Sequence, residues 1–134
     1  MAAHVIDASV LIPALLDFPA LSDETRTRLG TMDSDRFATP HLVDLEVIHA
    51  FRRLVRARRI SERIAAGGLS DLMGLRLDRY PHDLLLPRIW ELRPHLSAND
   101  AAYLALAETL EVPLVTRDRA MAVSETTARV VVID

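Results

Sequence analysis

Four carboxylates in this sequence stand where elements of structure would end or begin: Asp7 in HVIDASVLI, Glu46 in LVDLEVIHAF, Asp100 in SANDAAYLALAE and Asp118 in LVTRD. Anions brought within a few ångströms repel one another, so such a group persists only where protons or cations neutralise it. Oxygen-only ligation suits Mg2+ or Mn2+. A divalent ion held by a few carboxylates and several waters can activate a water, and two such ions can clamp the attacking and leaving oxygens of a phosphodiester. Hydrolysis of nucleic acid is the chemistry these residues predict, provided the fold brings them together.

The stretch Ser97–Asp118 carries the first half of that condition. Ser97, three residues before Asp100 and followed by an apolar run, reads as a helix start. Ala101–Leu110 continues the helix, Glu111-Val112-Pro113 breaks it, and Leu114-Val115-Thr116 reads as a short buried strand closed by Asp118. Ten helical residues travel roughly 15 Å one way, and six extended residues return roughly 20 Å. Asp100 and Asp118 therefore finish at one edge, which in an α/β sheet is the edge where ligands bind.

The rest of the chain supplies the partners. His4–Ile6 is a strand candidate ended by Asp7, and Val10–Leu16 an apolar helix with Pro13 near its start. After the loop Asp17-Phe18-Pro19, a helix opens at Ser22 and runs to about Met32. Arg36–Thr39 is the next strand. Thr39-Pro40 reads as an N-cap and first helical residue, starting a long helix to about Arg58. Its stripe Val43, Val47, Ala50, Phe51, Leu54 has core-facing spacing, and Glu46 lies on it, where a carboxylate is costly unless paired or bound to metal. A helix over Ser61–Leu75, weakened by Gly67-Gly68, a strand over Leu75–Tyr80 and a helix over His82–Leu92 follow. The chain closes with a short helical segment near Arg119–Val123 and a buried strand over Arg129–Ile133. Five strands alternating with helices predict an α/β fold, a parallel sheet with helices on both faces.

Each acid also has a purely structural reading. Asp100 fits a capping box, Asp7 a cap on the helix after it, Glu46 a buried ion pair and Asp118 a turn; their joint placement is what favours a site. Ser9 and Thr116 can hydrogen-bond the carboxylates or a water on the metal, or serve only their turn and strand. Arg52, Arg53, Arg56, Arg58 and Arg59 crowd one helix end, where cations complement the helix dipole. Among them Arg52 and Arg56, with Arg117 beside Asp118, are candidates for phosphate contacts in a nucleic acid. The five histidines, His4, His41, His49, His82 and His95, have no metal-ligand spacing and read as structural or surface residues.

At 134 residues, half of them hydrophobic, the chain is read as one domain over 1–134. It has no Cys, so thiolate metal sites and disulfides are excluded. All 16 basic residues are Arg, which excludes P-loop, Schiff-base and phospho-receiver chemistry that needs Lys. Asp7-Ala8-Ser9 also lacks the second Asp of haloacid-dehalogenase phosphatases. The net charge of −3 argues against binding nucleic acid by a global basic field. No apolar run approaches a membrane span, and a cytoplasmic location with no membrane association is expected.

The four segments quoted at the outset, with LLPRIWELRPHL before the third and over essentially the whole chain, resemble the PIN-domain ribonucleases, and among them the VapC toxins of bacterial toxin–antitoxin pairs. That resemblance implies a single PIN-like domain with strand order 3-2-1-4-5. It implies an Asp, Glu, Asp, Asp quartet that falls on Asp7, Glu46, Asp100 and Asp118, with Thr116 matching the hydroxyl that often precedes the last Asp. It further implies Mg2+- or Mn2+-dependent cleavage of single-stranded RNA, a homodimer, and inhibition by a cognate antitoxin. An acidic pocket is by itself a target for a cationic peptide. Asn99 departs from the larger residue many relatives carry there. The alternative is a non-catalytic PIN-like module that binds RNA or protein around a structural metal ion.

Overall fold

A computed structural model describes residues 2–16 and 37–133; the helix expected over 22–32, and Arg36 at the start of the second strand, lie outside them. Five strands form one parallel sheet: β1 (His4–Ile6), β2 (Phe37–Pro40), β3 (Leu77–Tyr80), β4 (Leu114–Thr116) and β5 (Val130–Val132). Their order is β3-β2-β1-β4-β5, as the resemblance implies. Five α-helices lie among the described residues: α1 (Ala8–Leu15), α2 (Leu42–Arg56), α3 (Glu62–Gly74), α4 (Leu86–Glu91) and α5 (Ala98–Leu110).

Successive strand residues face opposite sides of the sheet, and the core divides accordingly. Val5 and Leu114 pack with α5 and the buried residues of α2, while Ile6 and Val115 pack with Val10 and Ile133 on the other face. The α5 run Ala101–Ala107 is buried without interruption, because its alanines let the helix lie close against β1, β2 and β4. Val5 is level with Leu114 and Ile6 with Val115, so Asp7 falls beside Thr116 just past the strand ends. The strand order reverses between these two strands, where an open parallel sheet leaves a crevice.

Four sequence expectations are corrected. Thr39 and Pro40 do not cap a helix but complete β2, opposite Arg79 and Tyr80. Pro40 lies past the last β1–β2 pair, Val5 with Ala38, so its missing N–H removes no bond to β1. The N–H of Leu42 at the start of α2 is instead met by His82 Nε2, at 3.0 Å. The helix ends at Arg56, because Arg58 turns left-handed with φ 57°. The helix expected over His82–Leu92 splits into a 3-10 turn, Asp83–Leu85, and α4, with Pro87 in the first turn of the second piece; Pro is tolerated there and not in a helix interior. The segment after Asp118 is a single 3-10 turn over Arg119–Met121.

The expected helix after Ser61 is present as α3, with the Ser61 hydroxyl accepting from the Ile64 N–H. Gly68 in its middle is a point of close approach, since a Cβ there would come within 2.9 Å of the Phe51 ring on α2. No helix among the described residues is long and apolar enough to cross a membrane.

Candidate active site

The carboxyl ends of β1 and β4, one face of α2 and the N-terminus of α5 enclose a cleft of about 600 Å3. Asp7, Glu46, Asp100 and Asp118 all line it, together with Ser9. The fold thus brings the four sequence-predicted acids to one place.

Asp7 is the deepest, 5% exposed. One carboxylate oxygen accepts from the Ser9 N–H and the other from the Thr116 hydroxyl. Thr116 is fully buried and has a single hydrogen. With that hydrogen committed to Asp7, its oxygen accepts from the Asp118 N–H at 3.0 Å, and the 3.4 Å contact with Ser9 has the Ser9 hydroxyl as donor. Ser9 Oγ in turn accepts from the Arg117 N–H at 2.9 Å. Two hydroxyls therefore tie the end of β1 to the end of β4 and leave Asp7 no rotational freedom. Thr116→Val should leave one oxygen of a buried carboxylate without its donor and cost about 1–3 kcal/mol. Urea unfolding checks this: Thr116→Ser, which keeps the hydroxyl, should recover most of the loss.

Glu46 is half-buried on α2, and the Tyr103 hydroxyl donates to it. Burial pushes its carboxyl above the usual range, and the nearby Asp7 and Asp100 push it further, while Tyr103 and Asn99 pull the other way. Asp100 is likewise raised, first by burial and then by Asp118 and Asp7, with Ser97 opposing. Tyr103 is itself held far above its ordinary value by burial and by Glu46, so it remains a donor at any physiological pH. Asp118 is exposed at the mouth, where its Oδ1 accepts from the Ala120 N–H at 2.9 Å. The cap reading of Asp7 holds alongside its place in the cleft, and so does the turn reading of Asp118, which caps the short 3-10 turn that follows it.

The donors of the four acids are all oxygens, which suits a hard divalent cation. Among the described residues no three acids or imidazoles are drawn into a closed ligand set. Mg2+ does not require one: it keeps several waters and is commonly held by one or two carboxylates.

Several placements could not be read from residue type alone. Arg52 and Arg56 line a separate groove of about 440 Å3 beside Ile48, Phe51 and Glu62, and Arg117 contributes its main chain to the Ser9 contact. Arg53 and His49 line the acid cleft instead. Tyr103 was legible only indirectly: it stands three residues after Asp100, on the same helix face, and Glu46 needed a partner.

The sequence matches the PIN domain family over residues 4–124. It is 40% identical over 114 residues to Ribonuclease VapC9 of Mycobacterium tuberculosis, covering 85% of this chain and 84% of that one. It is 40% identical over 119 residues to Ribonuclease VapC1 of the same species, covering 88% and 87%. Solved structures share the fold: a toxin–antitoxin complex from Klebsiella pneumoniae (TM-score 0.63, 21% identity, 96% of this chain and 95% of that one), and PAE2754 from Pyrobaculum aerophilum (TM-score 0.66, 24% identity, 96% and 83%). With the quartet in one cleft and this likeness over most of its length, the chain belongs to the PIN-domain family and, within it, to the VapC branch.

Proposed function

We propose that this chain is a metal-dependent endoribonuclease that cuts single-stranded RNA and acts as the toxin of a toxin–antitoxin pair. The observation that carries the reading is one cleft lined by four carboxylates, two of which are held above their ordinary pKa by burial and by neighbouring carboxylates. The ribonuclease names of the relatives and the toxin–antitoxin neighbour support it.

In this reading Asp7, Glu46, Asp100 and Asp118 hold Mg2+ or Mn2+. The ion, when bound, supplies Lewis acidity that makes water a nucleophile and offsets charge developing on the phosphate. The residues do the positioning. Asp7, fixed by Ser9 and Thr116, presents its remaining lone pairs in one direction. Tyr103 and Asn99 orient Glu46, and Ser97 steadies Asp100 at the start of α5. Asp118, at the mouth, is the acid most open to solvent and to substrate. Attack by water is expected to leave 5′-phosphate and 3′-hydroxyl ends. A cationic segment of a cognate antitoxin covers the same acids, and the working unit is a cytoplasmic homodimer.

The test is incubation of antitoxin-free protein with total bacterial RNA, with Mg2+, with Mn2+ and with excess chelator, alongside a metal titration of its melting temperature. Cleavage that requires metal supports the reading. Thermal stabilisation by Mg2+ with no cleavage of any RNA would replace it with the non-catalytic binding module.

A further inference from the structure

We propose that Arg53 and His49 bind the phosphate neighbouring the one that is cleaved, so that α2 is a track for the RNA strand. The inference rests on the endoribonuclease reading and adds the direction in which the substrate leaves the acids.

His49, Ala50 and Arg53 lie three, four and seven residues after Glu46 on α2, and all four line the acid cleft. The helix rise sets His49 roughly 4.5 Å and Arg53 roughly 10 Å beyond Glu46 along the axis. Between them Ala50 is buried and small, so its own side chain does not stand between the acids and the guanidinium. Arg53 is exposed, and among the described residues no carboxylate lies within ion-pair distance of it. Arg79 and Arg88 behave differently, each gripping a carboxylate with two nitrogens.

An arginine that borders four carboxylates and pairs with none leaves its planar donor fork open to another anion. A phosphodiester strand repeats one negative charge per nucleotide, so a strand with its scissile phosphate at the acids brings the next phosphate toward this rim. Guanidinium binds phosphate through two parallel bonds, and the exposed imidazole of His49 has an N–H to offer in either charge state. Arg52 and Arg56 face the other groove and are left out of this contact.

The experiment compares wild type, Arg53→Ala, Arg53→Lys, His49→Ala, Arg52→Ala and Arg56→Ala in the full chain, using a single-stranded 12-nucleotide RNA that wild type cleaves. Arg53→Ala should raise KM about tenfold with kcat little changed, the signature of lost uniform binding. Its KM should also depend less steeply on salt, by about one phosphate contact. His49→Ala should raise KM about threefold, and Arg53→Lys should recover only part of the loss because a point charge replaces the fork. The preference for the 12-mer over a dinucleotide, which has no second phosphate, should shrink in Arg53→Ala. Arg52→Ala and Arg56→Ala should match wild type. An unchanged KM and salt slope in Arg53→Ala would overturn the inference and leave the nuclease reading standing. Absence of metal-dependent cleavage by wild type would overturn the nuclease reading, and this inference with it.

Discussion

Asp100→Asn should slow RNA cleavage by orders of magnitude and, in the same protein, raise the melting temperature measured without metal. The two effects have one cause. Asp100 and Glu46 are carboxylates kept partly out of water and close to further negative charge, an arrangement that a cation relieves and the metal-free fold must bear. Loss of one charged ligand from such a site should lower kcat by roughly two to three orders of magnitude, the scale seen when one preorganised electrostatic group is removed. The amide is close to isosteric and retains an acceptor for the Ser97 contact. Both acids are partly open to solvent, so the thermal gain is on the order of a few degrees. A melting temperature lowered in chelator, or cleavage at the wild-type rate, would remove Asp100 from the role assigned to it.

The pH dependence follows from the same two groups. Their folded pKa values lie above the ordinary 4.5 of Glu46 and 3.8 of Asp100. The stability linked to them is therefore fully present below those ordinary values and is lost as pH rises through the folded ones. Metal-free wild type should melt at progressively lower temperature as pH climbs above those ordinary values, and the combined Glu46→Gln, Asp100→Asn variant should show a flatter profile. Mg2+ should stabilise wild type more at neutral pH than at acid pH. Calorimetry in chelator and in Mg2+ across that range measures all three.

Much of this site could be anticipated because its parts are local. Ser97 and Asp100 mark a helix start that the structure reproduces, with the Ser97 hydroxyl accepting from the Asp100 N–H at 3.2 Å. Leu114–Thr116 is apolar enough to be a buried strand, and the residues between fix where its end must lie. Glu46 is conspicuous because it interrupts an apolar stripe. What was not legible depends on contacts between distant segments. Thr39-Pro40 has the local chemistry of a helix start, yet pairing with β3 carries the strand through it and the cap comes from His82, forty residues on. The Gly67-Gly68 pair looks like a weakness in a helix until Phe51 is seen against it. Arg52 and Arg53 are adjacent and identical, but a helix turns about 100° between them, and only the position of the acid cleft determines which one lines it.

Glu108 is where the largest loss of stability is expected, with catalysis spared. It sits near the end of α5, and its side chain is 12% exposed. Arg88 Nε reaches Oε1 at 2.7 Å and Nη2 reaches Oε2 at 3.0 Å, while the Thr126 hydroxyl donates to Oε2 at 2.7 Å. Arg88 Nη2 also donates to the Glu125 carbonyl at 2.6 Å. One carboxylate thus joins α4, α5 and the segment that leads into β5. Burial opposes its charge, but Arg88 and Thr126 more than offset this and hold the carboxyl below its ordinary 4.5. Glu108→Gln removes the charge and leaves Arg88 without its main partner, at a cost of about 2–3 kcal/mol; Arg88 is a third exposed, so the figure falls short of that for a fully buried pair. In a chain of this size that lowers the melting temperature by about 10 °C. Because the folded pKa is depressed, the stabilisation is present above the unfolded value and is lost as pH falls through the folded one; the variant should lack that acid limb. Eight residues of helix, roughly 12 Å, separate Glu108 from Asp100, so kcat at low temperature should be unchanged. The pairing Arg88→Met with Glu108→Leu should recover most of the loss, since apolar groups of similar size can replace an ion pair at little cost. An unaltered melting temperature in Glu108→Gln would show that the join is made by packing alone.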